Sequence, residues 1–231
     1  MKSPIYARIL TASVLMSLRR IVDSVSLPVS ADIEAGYAST AKGVAETIEM
    51  VIAAGAVGAN IEDSPGIENE PLLSIEQYIE RLQAAREAAN RTLSPFVINA
   101  RTDIYLFNIG DKSNQFSQAV ARANRYLEAG ADCIFVPGIG DPNIIAQLAQ
   151  EINGPINILA NPGVPTTNEL QKLGVKRVST GSGPMRSTLT LIRQIANELL
   201  TEGSYKNFTT DIIPYHEVNA LFSIKKSVSQ T

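Results

Sequence analysis

LPVSADIEAGY, residues Leu27 to Tyr37, is a short apolar run that leads into two carboxylates spaced i, i+2 and then into a glycine. Strand side chains alternate faces, so Ser30, Asp32 and Glu34 share one face while Val29, Ala31 and Ile33 share the other. In a parallel sheet covered by helices the apolar set packs outward. That leaves the acids on the inner face at the strand's carboxyl end, where α/β barrels bind ligands. Two carboxylates converging there suit a hard cation such as Mg²⁺. An Asp and a Glu that merely cap the exit of a strand would give the same pattern.

Working outward, Ile9, Val14, Leu15, Leu18, Ile21, Val22 and Val25 recur at three- and four-residue spacing and predict a helix over about 9–25. On the other side, Ser39 or Thr40 caps a helix through Ala54, with Val44, Ile48, Val51 and Ile52 as its buried stripe and Gly55 closing it. A second buried strand follows at 57–63 and again delivers acids at its far end. Beyond a loop rich in Pro, Gly and Glu, Ser74 opens a helix of strongly helical composition. Strands are then expected at 96–103, in DCIFVPG, at 156–160 and in KRVSTGSG, with helices at 113–129, from Asp141-Pro142, at 167–173 and at 184–200.

Six strands alternating with helices predict parallel βαβ units in an α/β fold of the (β/α)8 TIM-barrel type. A full barrel takes eight strands and about 250 residues, so this one is expected to be shortened at its amino-terminal end to about six βα units. One barrel domain spans 1–231. The tail beyond Thr201 holds Phe208, Ile212, Ile213, Tyr215, Leu221 and Phe222, too apolar for a free end, and is expected to dock on its own barrel or on a neighbour.

A formal net charge of −3 and a pI near 5.3, without a basic patch, argue against nucleic acid and anionic membrane as partners. No run approaches the ~20 apolar residues of a membrane span. Arg8 precedes the apolar part of the amino-terminal segment and Arg19-Arg20 follow it, which suits an amphipathic helix better than a signal peptide. The single cysteine, Cys133, sits in an apolar run, excludes a disulfide within the chain and fits the reducing cytoplasm.

The same alternation places Asn60 and Glu62 on one face of the second strand, Asn99 and Arg101 on one face of the third, and Asn157 and Asn161 on one face of the fifth. Those groups would surround Asp32 and Glu34. Three carboxylates with amides fit an octahedral Mg²⁺ held partly through water, with Mn²⁺ as a substitute. Arg101 is placed for a bidentate grip on a carboxylate or phosphonate. A plain Glu62–Arg101 salt bridge at the barrel mouth is the competing reading. Tyr37 either lines the site or packs under the Gly36 turn.

ADIEAGY, GANIEDS, INARTD, ARANRYLEAGADCIFVPG and NILANPG, in that order, resemble the isocitrate lyase and phosphoenolpyruvate mutase superfamily over about residues 17–188. The resemblance implies a barrel whose Mg²⁺ is held by Asp32 and Glu34 with help from Glu62, and an Arg101 that binds the substrate's carboxylate or transferring group. It implies action on a small 2-oxo or 2-hydroxy acid, by C–C cleavage or by rearrangement or hydrolysis of a C–P bond, through a pyruvate enolate held on the metal. Asn99, Asn161 and Tyr37 are the further substrate-binding candidates, and Glu62 and Arg101 the catalytic ones. It also implies a homo-oligomer, a dimer or tetramer, in which the carboxy-terminal helix and tail over 184–231 are exchanged between subunits.

Two departures shape the expected function. The lyases' Lys-Arg-Cys-Gly segment is replaced by SPGIENEPLLS, which argues against isocitrate and methylisocitrate cleavage; Glu68 and Glu70 are either proton donors on a closing lid or a solvated acidic loop. The family's opening strand–helix–strand, with its Ser-Gly carboxylate-binding segment, has no counterpart before Ile9. The expectation is therefore a Mg²⁺-dependent lyase or hydrolase of small 2-oxo or 2-hydroxy acids. The alternatives are a non-catalytic family member serving as a binding or assembly subunit, and a phosphonate C–P mutase or hydrolase.

Overall fold

The computed structural model describes residues 4–66, 71–92 and 95–223, with side chains in the first helix described from residue 13 onward. The chain divides into two compact units that meet in sequence between Gly181 and Ser182.

The first unit alternates helix and strand throughout: α1 Pro4–Ser24, β1 Ser30–Asp32, α2 Ala41–Ala53, β2 Gly58–Glu62, α3 Ile75–Asn90, β3 Val97–Arg101, α4 Lys112–Glu128, β4 Cys133–Val136, α5 Pro142–Glu151, β5 Ile156–Leu159, α6 Thr167–Lys172 and β6 Arg177–Ser179. The strands pair in sequence order, every pair parallel, and form a curled half-barrel. The strands after β1 are one to five residues shorter than the segments expected for them because the ladder stops where the chain turns into the loops that carry the polar groups.

Helix starts follow local chemistry. Thr40 Oγ1 accepts from the Gly43 N–H, and Ser74 with Gln77 and Thr166 with Glu169 form capping boxes. Asp141 accepts from the Asn143 N–H with Pro142 in the first turn. Gly55, at φ +92°, lets the chain leave α2 in a left-handed conformation that a side chain would resist.

The outward faces of the strands, Ile61, Ile98, Ile134, Ile156 and Ile158 among them, join the buried stripes of the helices in one core. Each such aliphatic side chain contributes roughly 1.5–3 kcal/mol by leaving water. The register stacks the inward faces in layers: Asp32 opposite Asn60, Asn60 opposite Asn99 and Asn99 opposite Cys133, then Glu62 opposite Arg101, Arg101 opposite Phe135 and Phe135 opposite Asn157. The second layer lies nearer the carboxyl ends of the strands, and this is what brings Glu62 and Arg101 to the mouth.

The second unit consists of α7 Gly183–Thr201, a short 3-10 turn at Lys206–Phe208 and α8 Tyr215–Leu221. The Glu198 carboxylate accepts from the backbone N–H groups of Lys206 (2.6 Å) and Asn207 (2.9 Å), folding the chain back on the end of α7. Among the described residues no helix is long and apolar enough to cross a membrane.

Candidate active site

At the carboxyl end of β1, Ala31 and Ile33 are buried while Asp32 and Glu34 are exposed, as alternation requires. Glu34, however, is not a strand residue. The strand stops at Asp32, the Gly36 N–H donates to the Ile33 carbonyl (2.8 Å), and Glu34 takes φ 50° in the resulting turn. Its N–H donates to Asp32 Oδ1 (3.2 Å) and its carbonyl accepts from the Glu62 N–H (2.9 Å), so the turn is stitched to the end of β2. Tyr37, also left-handed at φ 52°, donates its hydroxyl to the Asp32 carbonyl (3.3 Å).

From the next two strands, Arg101 lies between two acids. Nη1 reaches Glu62 Oε2 at 2.9 Å and Nε reaches Asp103 Oδ1 at 2.6 Å, while the guanidinium carbon sits 5.7 Å from the centre of the Phe135 ring. The ion pair between Glu62 and Arg101 that the sequence left as an alternative is therefore present, and it is embedded in a wider cluster. Asp103 is fully buried, and its Oδ2 has no hydrogen-bond partner.

The electrostatics follow from burial and crowding. Loss of solvent pushes the Glu62 carboxyl up to about 7; Arg101 opposes this, whereas the charges of Asp103, Asp32 and Glu34 add to it. Burial raises Asp103 against the pull of Arg101, with Asp63 and Asp32 adding to the rise. Burial, then the charges of Glu34, Asp32 and Glu62, push the Tyr37 phenol up to about 12. Arg101, destabilised by burial, is more than compensated by Asp103, Glu62 and Asp32 and stays protonated. The charge of Asp32 reaches Tyr37, Glu62, Arg101 and Asp103, and that of Glu34 reaches Tyr37 and Glu62, so these groups lie close together at the carboxyl end of the sheet.

The remaining candidates lie elsewhere. Asn99 is fully buried one layer below, donating to Asn60 Oδ1 at 2.6 Å, and its own Oδ1 has no partner. Asn157 exchanges hydrogen bonds with Ser179 (2.9 and 3.2 Å) on the inner face of β5 and β6. Asn161 is exposed in the loop after β5, beyond the alternation that would have aimed it inward. Glu68 and Glu70 lie outside the described residues.

A buried support that sequence reasoning passed over stands behind the cluster. Asp63, fully buried, accepts from the Asp103 N–H (3.0 Å), the Tyr126 hydroxyl (2.8 Å) and Arg122 Nη1 (3.3 Å). Burial raises its carboxyl and these three donors pull it back. It thereby fixes the residue that holds Arg101. Its neighbour Glu62 drew attention as an acid at a strand end; the same signal marked Asp63 and Asp103.

Among the described residues no three His, Cys, Asp or Glu side chains stand ready as a direct metal-binding group. The donor chemistry still fits a hard cation: Asp32, Glu62 and Asp103 act on one guanidinium, Glu34 acts on Glu62, and Glu62 and Asp103 both have raised carboxyls.

A curled sheet of parallel strands with acids at the carboxyl ends of β1 and β2 and an arginine on β3 defines a class, and the chain belongs to the phosphoenolpyruvate phosphomutase family, whose model matches residues 7–200. It is 34% identical over 204 residues to the 2-methylisocitrate lyase of Escherichia coli (strain K12), a match covering 84% of this chain and 66% of that protein, just under two thirds of its length. Among solved structures, a protein from Burkholderia cenocepacia J2315 described as a lyase or mutase superposes with a TM-score of 0.87 at 34% identity, covering 93% of this chain and 76% of that one. A phosphonopyruvate hydrolase, solved with oxalate and Mg²⁺, superposes with a TM-score of 0.76 at 25% identity over 91% of this chain and 74% of its own.

Proposed function

We propose that this chain belongs to a Mg²⁺-dependent lyase of small 2-oxo or 2-hydroxy carboxylic acids, with oxaloacetate- and alkylmalate-type acids as the substrates tested first. The observation that carries the reading is the clustering of Asp32, Glu62 and Asp103 about Arg101, with Glu34 acting on Glu62, at the carboxyl end of the sheet. Relatives named 2-methylisocitrate lyase (34% identical) and oxaloacetate decarboxylase (31%) support C–C chemistry, and a structure described as a phosphonomutase (36%) supports C–P chemistry as the second reading.

Asp32 and Glu34, with Glu62, would hold the cation, in part through water, as Mg²⁺ prefers. Bound there, it would supply Lewis-acid stabilisation to negative charge developing on the substrate. Arg101 grips the substrate carboxylate, pre-aimed by Asp103 and pressed against Phe135, and places a fixed positive charge where the carbanion's charge spreads. Glu62, whose carboxyl lies near 7 in the metal-free site, would give up that proton as the cation binds and then stand as a carboxylate able to accept a proton from the substrate. Tyr37, far too basic to ionise, serves as a hydrogen-bond donor. Met185, Leu189, Ile192 and Leu199 form an exposed apolar stripe at helical spacing on α7, which supports a homo-oligomer with this helix at the subunit contact.

The test is formation of pyruvate or another 2-oxo product from these acids with and without Mg²⁺. Turnover that requires the cation and falls by about a hundredfold or more in Asp32→Ala supports the proposal. A chain that binds Mn²⁺ through Asp32 without turning over any of these acids would instead be a binding subunit, and cleavage confined to phosphonates would move it to C–P chemistry.

A further inference from the structure

We infer that Arg81, on α3 and far from the site in sequence, is a positioning residue that locks the loop between β1 and α2 and so sets Glu34 and Tyr37; the inference rests on the site proposed above. The loop is costly to hold. Within four residues it has three left-handed positions, Glu34 (φ 50°), Gly36 (φ 90°) and Tyr37 (φ 52°), two of which carry side chains that resist that conformation. Such a segment persists only where its surroundings over-determine it.

The carbonyl groups show what does so. Asp32's accepts from the Tyr37 hydroxyl, Ile33's from the Gly36 N–H, Glu34's from the Glu62 N–H and Gly36's from the Thr47 hydroxyl (2.8 Å). The carbonyls of Ala35, Ala38 and Ser39 all accept from one side chain: Arg81 donates Nη1 to the first two (3.2 Å each) and Nη2 to the third (3.0 Å).

The Arg81 residue is only 8% exposed. Among the described residues its polar partners are these carbonyls and no carboxylate, so it acts as a template for the loop and not as half of an ion pair. Burying a charge this way is tolerable only while the carbonyls stay in place, which couples the loop to α3 in both directions. Tyr78, one turn earlier on the same helix, donates to the Ile61 carbonyl (2.6 Å), so α3 grips β2 beside Glu62 with one side chain and the loop beside Asp32 with the other. A lysine has one donor centre and cannot span three carbonyls from both prongs of a fork.

The test uses the full chain as parent, Arg81→Ala, Arg81→Lys and Asp32→Ala, read by amide hydrogen exchange over residues 33–40 and by Mn²⁺ affinity from its electron paramagnetic resonance signal. Loss of charged hydrogen bonds predicts exchange at Gly36 and its neighbours faster by about tenfold in Arg81→Ala, with Mn²⁺ affinity down by a similar factor. Millimolar guanidinium, which fits the vacated space, should restore both in that variant. Loop exchange and Mn²⁺ affinity within about twofold of the parent would overturn the inference. Should Arg81→Ala fail to fold, Arg81→Lys decides by the same loop measurement: faster exchange supports the role and parental exchange refutes it. Asp32→Ala should lose Mn²⁺ binding. If it does not, the metal site proposed above fails, while loop exchange still judges Arg81 on its own.

Discussion

The Glu62 carboxyl makes the metal-free protein sensitive to pH in an unusual direction, and Glu62→Gln isolates the effect. Its folded value near 7 lies above the ordinary 4.5, so between those limits the native state holds a proton that the unfolded chain has released. The contribution of Glu62 to stability is therefore greatest below about 4.5 and is lost as pH rises through 7, opposite to the usual salt-bridged carboxylate. Converted at about 1.36 kcal/mol per tenfold, the gap amounts to about 3 kcal/mol, and to roughly 2 once the side chain's partial contact with solvent is discounted. Glutamine copies the protonated form. Urea unfolding with a chelator present should find Glu62→Gln level with the parent near pH 4.5 and more stable by about 2 kcal/mol at pH 8. Asp63, also raised, titrates in both proteins, whereas Asp103 is coupled to Glu62 through charge and through Arg101, so the difference reports that pair. A difference that stays constant with pH, or a variant less stable at pH 8, would show that Arg101 fully compensates the Glu62 charge and that crowding by Asp32, Glu34 and Asp103 counts for little.

Tyr126→Phe removes the hydroxyl that donates to Asp63 and accepts from Arg122, and should lower urea stability by about 1–3 kcal/mol, with a change under about half a kcal/mol arguing against the buried support. Gly138→Ala places a Cβ 2.7 Å from the Leu106 backbone nitrogen at φ +91°, a contact that no side-chain rotation relieves; a loss of roughly 2 kcal/mol or more is expected in the same assay. Burial pushes the Cys133 thiol up to about 11, so in the native protein it should react with a disulfide reagent at pH 8 about a hundredfold more slowly than after unfolding.

Strand and helix order was legible because the chain punctuates itself: Thr40, Ser74, Asp141 and Thr166 cap helices, and Gly55, Gly130 and Gly174 end them. Asp32, Glu62 and Arg101 were legible because a period of two points them inward. Alternation carries no information past the last ladder pair: Glu34 is exposed as expected but sits in a turn at φ 50° and not in the strand, and Asn161, exposed in the loop, lies beyond the end of β5. Asp103 follows β3 and folds back onto the arginine two residues before it, a contact set by the turn and not by the strand. Arg81 and Arg122 were not singled out in the sequence. Their positions mark them all the same: Arg81 shares the stripe of Tyr78, Leu82 and Ala85, and Arg122 that of Ala119, Ala123 and Tyr126. A charge inside an apolar stripe is a buried group that must have found partners.

A cluster selected for stability alone would not have this composition. A buried ion pair roughly breaks even when each charge is matched and loses when one is not. Here Glu62 and Asp103 share one guanidinium with the exposed Asp32 and Glu34 beside them, and among the described residues the fully buried Asp103 has an oxygen lacking any donor. Apolar residues of similar size at Glu62 and Asp103 would remove that cost, which is what a site kept for a ligand predicts. In the metal-free protein the proton that Glu62 holds near neutral pH offsets part of that charge, and a divalent cation bound there would offset it in the proton's place. The two should exchange: as the cation binds, Glu62 should release its proton. Titrating Mg²⁺ into the chain at pH 6.5 in weakly buffered solution should therefore liberate acid in the parent and none in Glu62→Gln, and binding without proton release would mean that the ion sits elsewhere.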